Sequence, residues 1–425
     1  MLASLVNIAA LSAGLHIAES GPISWIKDDW QIAKSRALTE NKLVAVDVWA
    51  TWCHTCLAMK NFVFTQAAFA ELQSQHVWLA LDYDQPKNAN FFQKYTINAF
   101  PTFMVIDPTT DNVVGRWLGS GTTDEMLQFF RIAKRSPDSL LSQVQIALAS
   151  QKYKDAIDLV ESNLTTKKNK HEQTRLLSAY AEALRKTDAK ACAIKNETFL
   201  DQVANNAQGL DYVMLVGSCA ESVPDSNAKS RILSKIRDRL VLALQSNDLD
   251  ISADDHSSIL ATLSSIYKAS GNELLAHRTK VQQMTLLERA AQEAQSPRAK
   301  ATFDAHRLSC YLSLGELAKA EHMLQETQRQ LPKDFNTLWR MALLYRHMNR
   351  YDEGISAINK ALAFGYGPRR IRLFSAKIDL LVANNQHKEA REVSKLARAE
   401  IASQDKSLIR TYWLRELDSK EKLIQ

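Results

Sequence analysis

The chain has 425 residues, too many for a single hydrophobic core, so two or more domains are expected. Apolar residues make up 46% and charged residues 24%, a globular composition, and only 12 Gly and 9 Pro argue against a large all-β architecture. The net charge is +6, with residues 28–131 holding 8 Lys/Arg against 11 Asp/Glu; the basic surplus is spread thinly over the rest, and without a reader motif no nucleic-acid partner is expected.

The first element is apolar. Leu2 to Ala18 carries no charged side chain, and the first one is Glu19. The run reads as the core of a signal peptide over residues 1–20, as a short membrane anchor, or as a buried or amphipathic helix. The basic residues that usually precede a signal core are missing. Export would place the chain in a periplasmic or secretory compartment, where a dithiol needs a dedicated reductant. A cytoplasmic location is the alternative.

Next comes Leu43 to Ala50, an apolar run with the pattern of a buried strand, followed at once by Trp52-Cys53-His54-Thr55-Cys56. Good helix formers, Leu57-Ala58-Met59-Lys60, come after it, and no Pro or Gly interrupts Cys56 to His76. Pro101 follows Cys56 by 45 residues and opens a second apolar run, Phe103 to Ile106. A Cys-x-x-Cys alone suits either metal or redox chemistry. Between a strand and a helix it suits redox chemistry, because a helix N-terminus offers free N–H groups and partial positive charge to a thiolate. Structural zinc needs four ligands, and there is no second Cys-x-x-Cys. Haem attachment is excluded in its usual form because Leu57 follows Cys56. No cofactor is expected.

These residues resemble the thioredoxin family. The match is Val46-Asp47-Val48-Trp49-Ala50-Thr51-Trp52-Cys53-His54-Thr55-Cys56, then Ala99-Phe100-Pro101-Thr102, then Gly119 after Val113 to Leu118. Asn61-Phe62-Val63-Phe64 with Asp82-Tyr83-Asp84 is similar to the C-terminal domain of DsbD-type thiol reductases. The resemblance implies an α/β thioredoxin fold over residues 21–135, with Cys53 as the exposed nucleophile and Cys56 as the buried resolving cysteine. It implies that Asp47 is the buried acid assisting proton transfer and Pro101 the cis-proline beside the disulfide. Trp52, His54, Thr55, Phe100 and Thr102 would line the substrate groove. Asp47 could equally be a strand-end aspartate with a solvent or backbone partner. His54 is either an exposed bystander or a cation near the Cys53 thiolate. Two departures from the family stand out: His54-Thr55 replaces Gly-Pro, and Ala80 stands where a lysine often neighbours the acid.

Arg135-Ser136-Pro137-Asp138 marks a boundary, with Ser136 as a helix cap and Pro137 in the first turn. From 139 to 425 apolar residues recur at helical spacing. Tyr311 and Tyr345 are 34 residues apart, as are Ala320 and Gly354; Ala390 and Ala397 lie 36 beyond Gly354 and Ala361. Earlier copies carry Tyr153, Ala156 and Val160, and Tyr267, Gly271 and Ala276. The pattern resembles tetratricopeptide (TPR) repeats, which implies an all-α solenoid with a groove for a protein partner; a helical array without a groove is the other reading. The spacing fails over residues 166–255. Cys192 and Cys219 fall there, 27 residues apart, either as a structural disulfide or as two buried thiols.

Two functions remain open. One is a thiol–disulfide oxidoreductase acting on protein disulfides, drawing on a thiol electron donor, with a partner-binding helical domain. The direction of exchange is not legible, although the DsbD-like residues lean toward reduction. The other is a scaffold in which the first domain only docks.

Overall fold

The computed structural model describes residues 21–135, 139–164, 168–247 and 249–424. The apolar segment 1–20 and the Ser136-Pro137 helix start lie outside them. Among the described residues no helix is long and apolar enough to cross a membrane.

Residues 21–135 form a five-stranded mixed sheet with flanking helices. The strands are β1 (Trp25–Lys27), β2 (Leu43–Trp49), β3 (His76–Asp82), β4 (Thr102–Ile106) and β5 (Val113–Leu118), in the order β1-β3-β2-β4-β5. β1 and β2 run parallel to β3, while β4 is antiparallel to β2 and β5. Val44 to Val48 of β2 and all of β3 are buried, as continuous apolar strands covered on both faces must be. One core layer holds Val46, Leu79, Met104 and Phe92; the other holds Ala45, Trp78, Phe103 and Phe130.

The helix after Cys53 is shorter than the unbroken sequence suggested. It runs His54–Ala58, widens into a π-turn at Met59–Val63, and ends. Such turns often mark functional sites.

The rest of the described chain is helical. The first helix there is Leu140–Ala149, capped by Ser139, whose hydroxyl accepts from Ser142 N–H at 3.2 Å. It packs along β5, where Gln145 accepts the Arg116 backbone N–H and Ser142 bonds Val114 O, so the open sheet edge is covered. Helix pairs follow, among them Ala253–Ala269 with Glu273–Glu293, Asp304–Leu314 with Leu317–Gln330, Phe335–His347 with Tyr351–Phe364, and Arg370–Ala383 with His387–Ser403. This is a TPR-like array. Ala320, Gly354 and Ala390 occupy the same place in three second helices, and a methyl group on Gly354 would meet Leu380 at 2.6 Å. Where the spacing failed, helices of uneven length, from Ala189–Asn196 to Ser226–Leu244, pack instead, and Cys192 and Cys219 are joined there with Cα atoms 5.9 Å apart. Cys310 is a buried free thiol.

Part of this array packs against the chain's own N-terminal domain. Arg116 makes a bidentate pair with Glu182 at 2.7 and 3.0 Å, both buried. Asn98 donates to the same carboxylate at 2.9 Å, and Asn61 to Thr302 at 3.0 Å. Asn336 bonds Thr51 at 3.0 Å, and Tyr83 donates to Ser407 O at 3.0 Å. Backbones touch at Gly367: its φ is +56°, and a Cβ there would stand 1.8 Å from Asp84 O.

Candidate functional site at the cystine

β2 ends at Trp49, and Cys53 caps the helix that follows, its sulfur accepting the Cys56 N–H at 3.1 Å. Cys53 and Cys56 are disulfide-bonded. The Phe100–Pro101 peptide is cis, and Pro101 is buried. Asp47 is 2% exposed in the middle of β2. Its register partner is Ala80, so the adjacent strand position carries no lysine. The cation comes from another element: Lys60 Nζ, on the π-turn, lies 3.1 Å from Asp47 Oδ2 and 4.3 Å from the Trp49 ring centroid. Ala80 thus stands beside Asp47 as the sequence implied, and Lys60 supplies the charge that the neighbouring strand lacks.

Both side chains between the cysteines are held by the helical domain. His54 Nδ1 is 2.8 Å from Asp254 Oδ1, and Thr55 Oγ1 donates to Asp254 Oδ2 at 3.0 Å. Asp254 stands in the first turn of helix Ala253–Ala269, 1% exposed. The His306 ring lies against His54 with centroids 3.9 Å apart, and its Nδ1 is 2.7 Å from Ser257 Oγ. Burial opposes the His54 cation, but the charge of Asp254 and the hydrogen bond to it outweigh burial and raise the pKa. For Asp254 burial pushes upward, yet His54 draws the pKa below the usual carboxylate range. Burial, and then the His54 charge, press His306 down to about 4, so it is neutral. Donor atoms of His54, Asp254 and His306 lie within 4.8 Å of one another, a closeness in which the His54–Asp254 hydrogen bond already takes part. A metal bound through His54 Nδ1 would have to break the bond to Asp254.

Trp52 is fixed from below. Its Nε1 donates to Asp84 Oδ2 at 2.7 Å, and its ring meets Phe100 edge-on at 5.2 Å and Trp413 at 6.2 Å. The buried Arg369 guanidinium lies between Trp52 and Trp339, 5.1 and 4.8 Å from the ring centroids. Burial, reinforced by the charge of Asp82, pushes Asp84 up to about 7, and burial pushes Asp82 up to about 6.

A cavity of about 320 Å³ opens at the cystine. Trp52, Cys53, His54, Thr55, Asn98 and Phe100 form one side, and Arg410 and Tyr412 of the C-terminal segment form the other. The Arg410 guanidinium stacks over Tyr83 and Phe100 and donates to Ile97 O at 3.2 Å. The wall thus carries a guanidinium and an imidazole and no carboxylate.

Two further expectations change. Cys53 is not an exposed nucleophile: it is 7% exposed, in the same cavity as Arg410 and Tyr412 of the C-terminal segment. Thr102 does not line the cavity: it is fully buried, and its hydroxyl donates to Ala99 O at 2.8 Å, tying the turn before β4. Asp254, His306, Arg410 and Tyr412 were missed. In the sequence, Ser252 and Asp255 signal only a capped helix start.

The thioredoxin family model matches residues 29–131. A thioredoxin H-type protein of Oryza sativa subsp. indica is 32% identical over 94 residues, 21% of this chain and 70% of that protein. The thiol:disulfide interchange protein DsbD of Colwellia psychrerythraea is 33% identical over 75 residues, 17% of this chain but only 12% of that protein. Among solved structures, a tetratricopeptide repeat protein from Parabacteroides merdae is 15% identical with a TM-score of 0.45, covering 67% of this chain and 97% of that one.

Proposed function

From a chain that belongs to the thioredoxin family through residues 29–131, we propose a thiol–disulfide oxidoreductase whose working dithiol is Cys53–Cys56. The observation that carries this reading is the cystine at a helix start, opening on a cavity. The Cys53 thiolate attacks one sulfur of a substrate disulfide and displaces the other as a thiolate. Cys56 then attacks Cys53 Sγ in the mixed disulfide, restoring the cystine and releasing the reduced substrate. Two electrons pass to the substrate, and an external dithiol donor returns them. Asp47, with Lys60 beside it, takes up the proton that Cys56 loses.

Substrates of protein type reach Cys53 as an extended disulfide-bearing segment, since a cavity of about 320 Å³ walled by Arg410 and Tyr412 has no room for a folded surface. A protein partner of the helical array meets its remaining surfaces. Export by residues 1–20, with or without anchoring, belongs to the same proposal; the buried Cys192–Cys219 bridge supports an oxidising compartment. A docking role without chemistry leaves the cystine and its cavity without a use.

The test is insulin reduction with a dithiol donor, comparing wild type with Cys53→Ser. Turnover lost in the variant supports the proposal, and equal turnover ends it.

A further inference from the structure

We infer that Asp254, carried by the helical domain, is a positioning residue of the dithiol site: it holds His54 and Thr55 and thereby sets the thiol acidity of Cys53 and the redox equilibrium of the Cys53–Cys56 pair. The inference rests on the proposed thiol–disulfide chemistry and adds to it a second domain that tunes the motif.

The geometry is specific. Both residues between the cysteines spend their side chains on one carboxylate, with contacts of 2.8 and 3.0 Å, across 200 and 199 residues of chain. Nothing in the local sequence of a Cys-x-x-Cys turn supplies such an anchor. The carboxylate is itself immobile, 1% exposed in the first turn of a helix whose Ser252–Asp255 capping box is complete. His306, bonded to Ser257, closes the other side of the His54 ring. His54 therefore has one orientation, with Nδ1 toward Asp254, and it lines the cavity that Cys53 lines.

The charges facing His54 come from several elements. Asp254 and Asp255 lie on helix Ala253–Ala269, His306 on Asp304–Leu314, and Arg340 on Phe335–His347. Lys280, on Glu273–Glu293, acts on His306, and Arg410 lies across the cavity. Of these, Asp254 contributes most to keeping the proton on His54; Arg340 and burial act to remove it. Asp254 favours the cationic form of His54, the residue next to Cys53 on the cavity wall; without Asp254, burial disfavours that charge and the Cys53 thiolate is less stabilised. The reduced form is stabilised by whatever stabilises that thiolate, so the pair then becomes more reducing.

The experiment uses the full chain equilibrated in glutathione buffers, following protein disulfide + 2 glutathione ⇌ protein dithiol + glutathione disulfide. The pH dependence of Cys53 alkylation is measured alongside. Asp254→Asn should shift the equilibrium toward protein disulfide about tenfold and raise the Cys53 thiol pKa, as expected for loss of one adjacent opposite charge. His54→Ala should shift both in the same direction, and the double variant should go no further than His54→Ala. If Asp254→Asn does not fold, His54→Ala and Thr55→Val carry the test, since an unchanged equilibrium in both overturns the inference. Asp254→Asn within twofold of wild type in both readouts also overturns it and leaves the thiol–disulfide reading standing. A wild-type cystine that exchanges with neither glutathione nor dithiothreitol overturns both.

Discussion

The chain contains two cystines in very different surroundings. Cys53–Cys56 closes a loop of three residues' separation at the seam between the domains, beside a cavity. Cys192–Cys219 closes one of 27 inside the helical core, with both residues at 1% exposure or less and packed among Leu176, Tyr180, Val213 and Val216. Loop-closure entropy alone is worth roughly 2 kcal/mol for the short loop and between 3 and 4 for the long one. The more stabilising bond is thus the one no reagent can reach. The difference teaches that surroundings, rather than the bond, separate a staple from a reactive group: a helix start, a neighbouring imidazole and an opening on one side, and apolar packing all round on the other.

The largest effect expected is loss of exchange. Cys53→Ser should abolish insulin reduction, and Cys56→Ser should trap mixed disulfides that appear on non-reducing gels. Cys192→Ala with Cys219→Ala should leave exchange in place. A double variant at 192 and 219 that loses exchange while still folded would erase the contrast.

Next is the seam itself. Glu182→Ala strands the buried Arg116 guanidinium and frees Asn98, which should cost about 3–5 kcal/mol in chemical denaturation. A loss below 1 kcal/mol would mean that the domains are held elsewhere. Removing the Cys192–Cys219 bridge follows, at about 2–4 kcal/mol, read by denaturation with and without reductant.

A pH dependence should arise in large part at the seam. Asp82 and Asp84 have folded pKa values of about 6 and 7, raised by burial above the ordinary 3.8. Glu125 and Asp211 are likewise raised by burial, to about 7 and 8. A carboxyl with a raised folded pKa binds protons more tightly when folded. Its stabilising contribution is complete below the unfolded value and is lost as pH rises through the folded one. Thermal stability should therefore fall from pH 5 to pH 8, and Asp84→Asn should flatten that slope. A melting temperature that rises over this range would contradict the assignment.

The smallest effect concerns selectivity. Arg410→Gln should slow reaction of the reduced protein with an anionic small disulfide a few-fold relative to a neutral one, by removing the guanidinium from the cavity wall. Equal slowing of both would make Arg410 a packing residue.

The strand before Cys53, the helix start after it, the strand after Pro101 and the 34-residue spacing of Tyr311 and Tyr345 were all determined by the sequence, because each is a local pattern of period 2, 3.6 or one repeat. Such patterns tell which side of an element is buried, but not against what. Tertiary structure alone decided that the helical array packs against the chain's own first domain, that Lys60 rather than a strand lysine reaches Asp47, and that Asp254 and His306 meet His54. These contacts join residues up to 252 positions apart in the chain. No local preference encodes them, and only the packing of two folded domains brings the charges close enough to act.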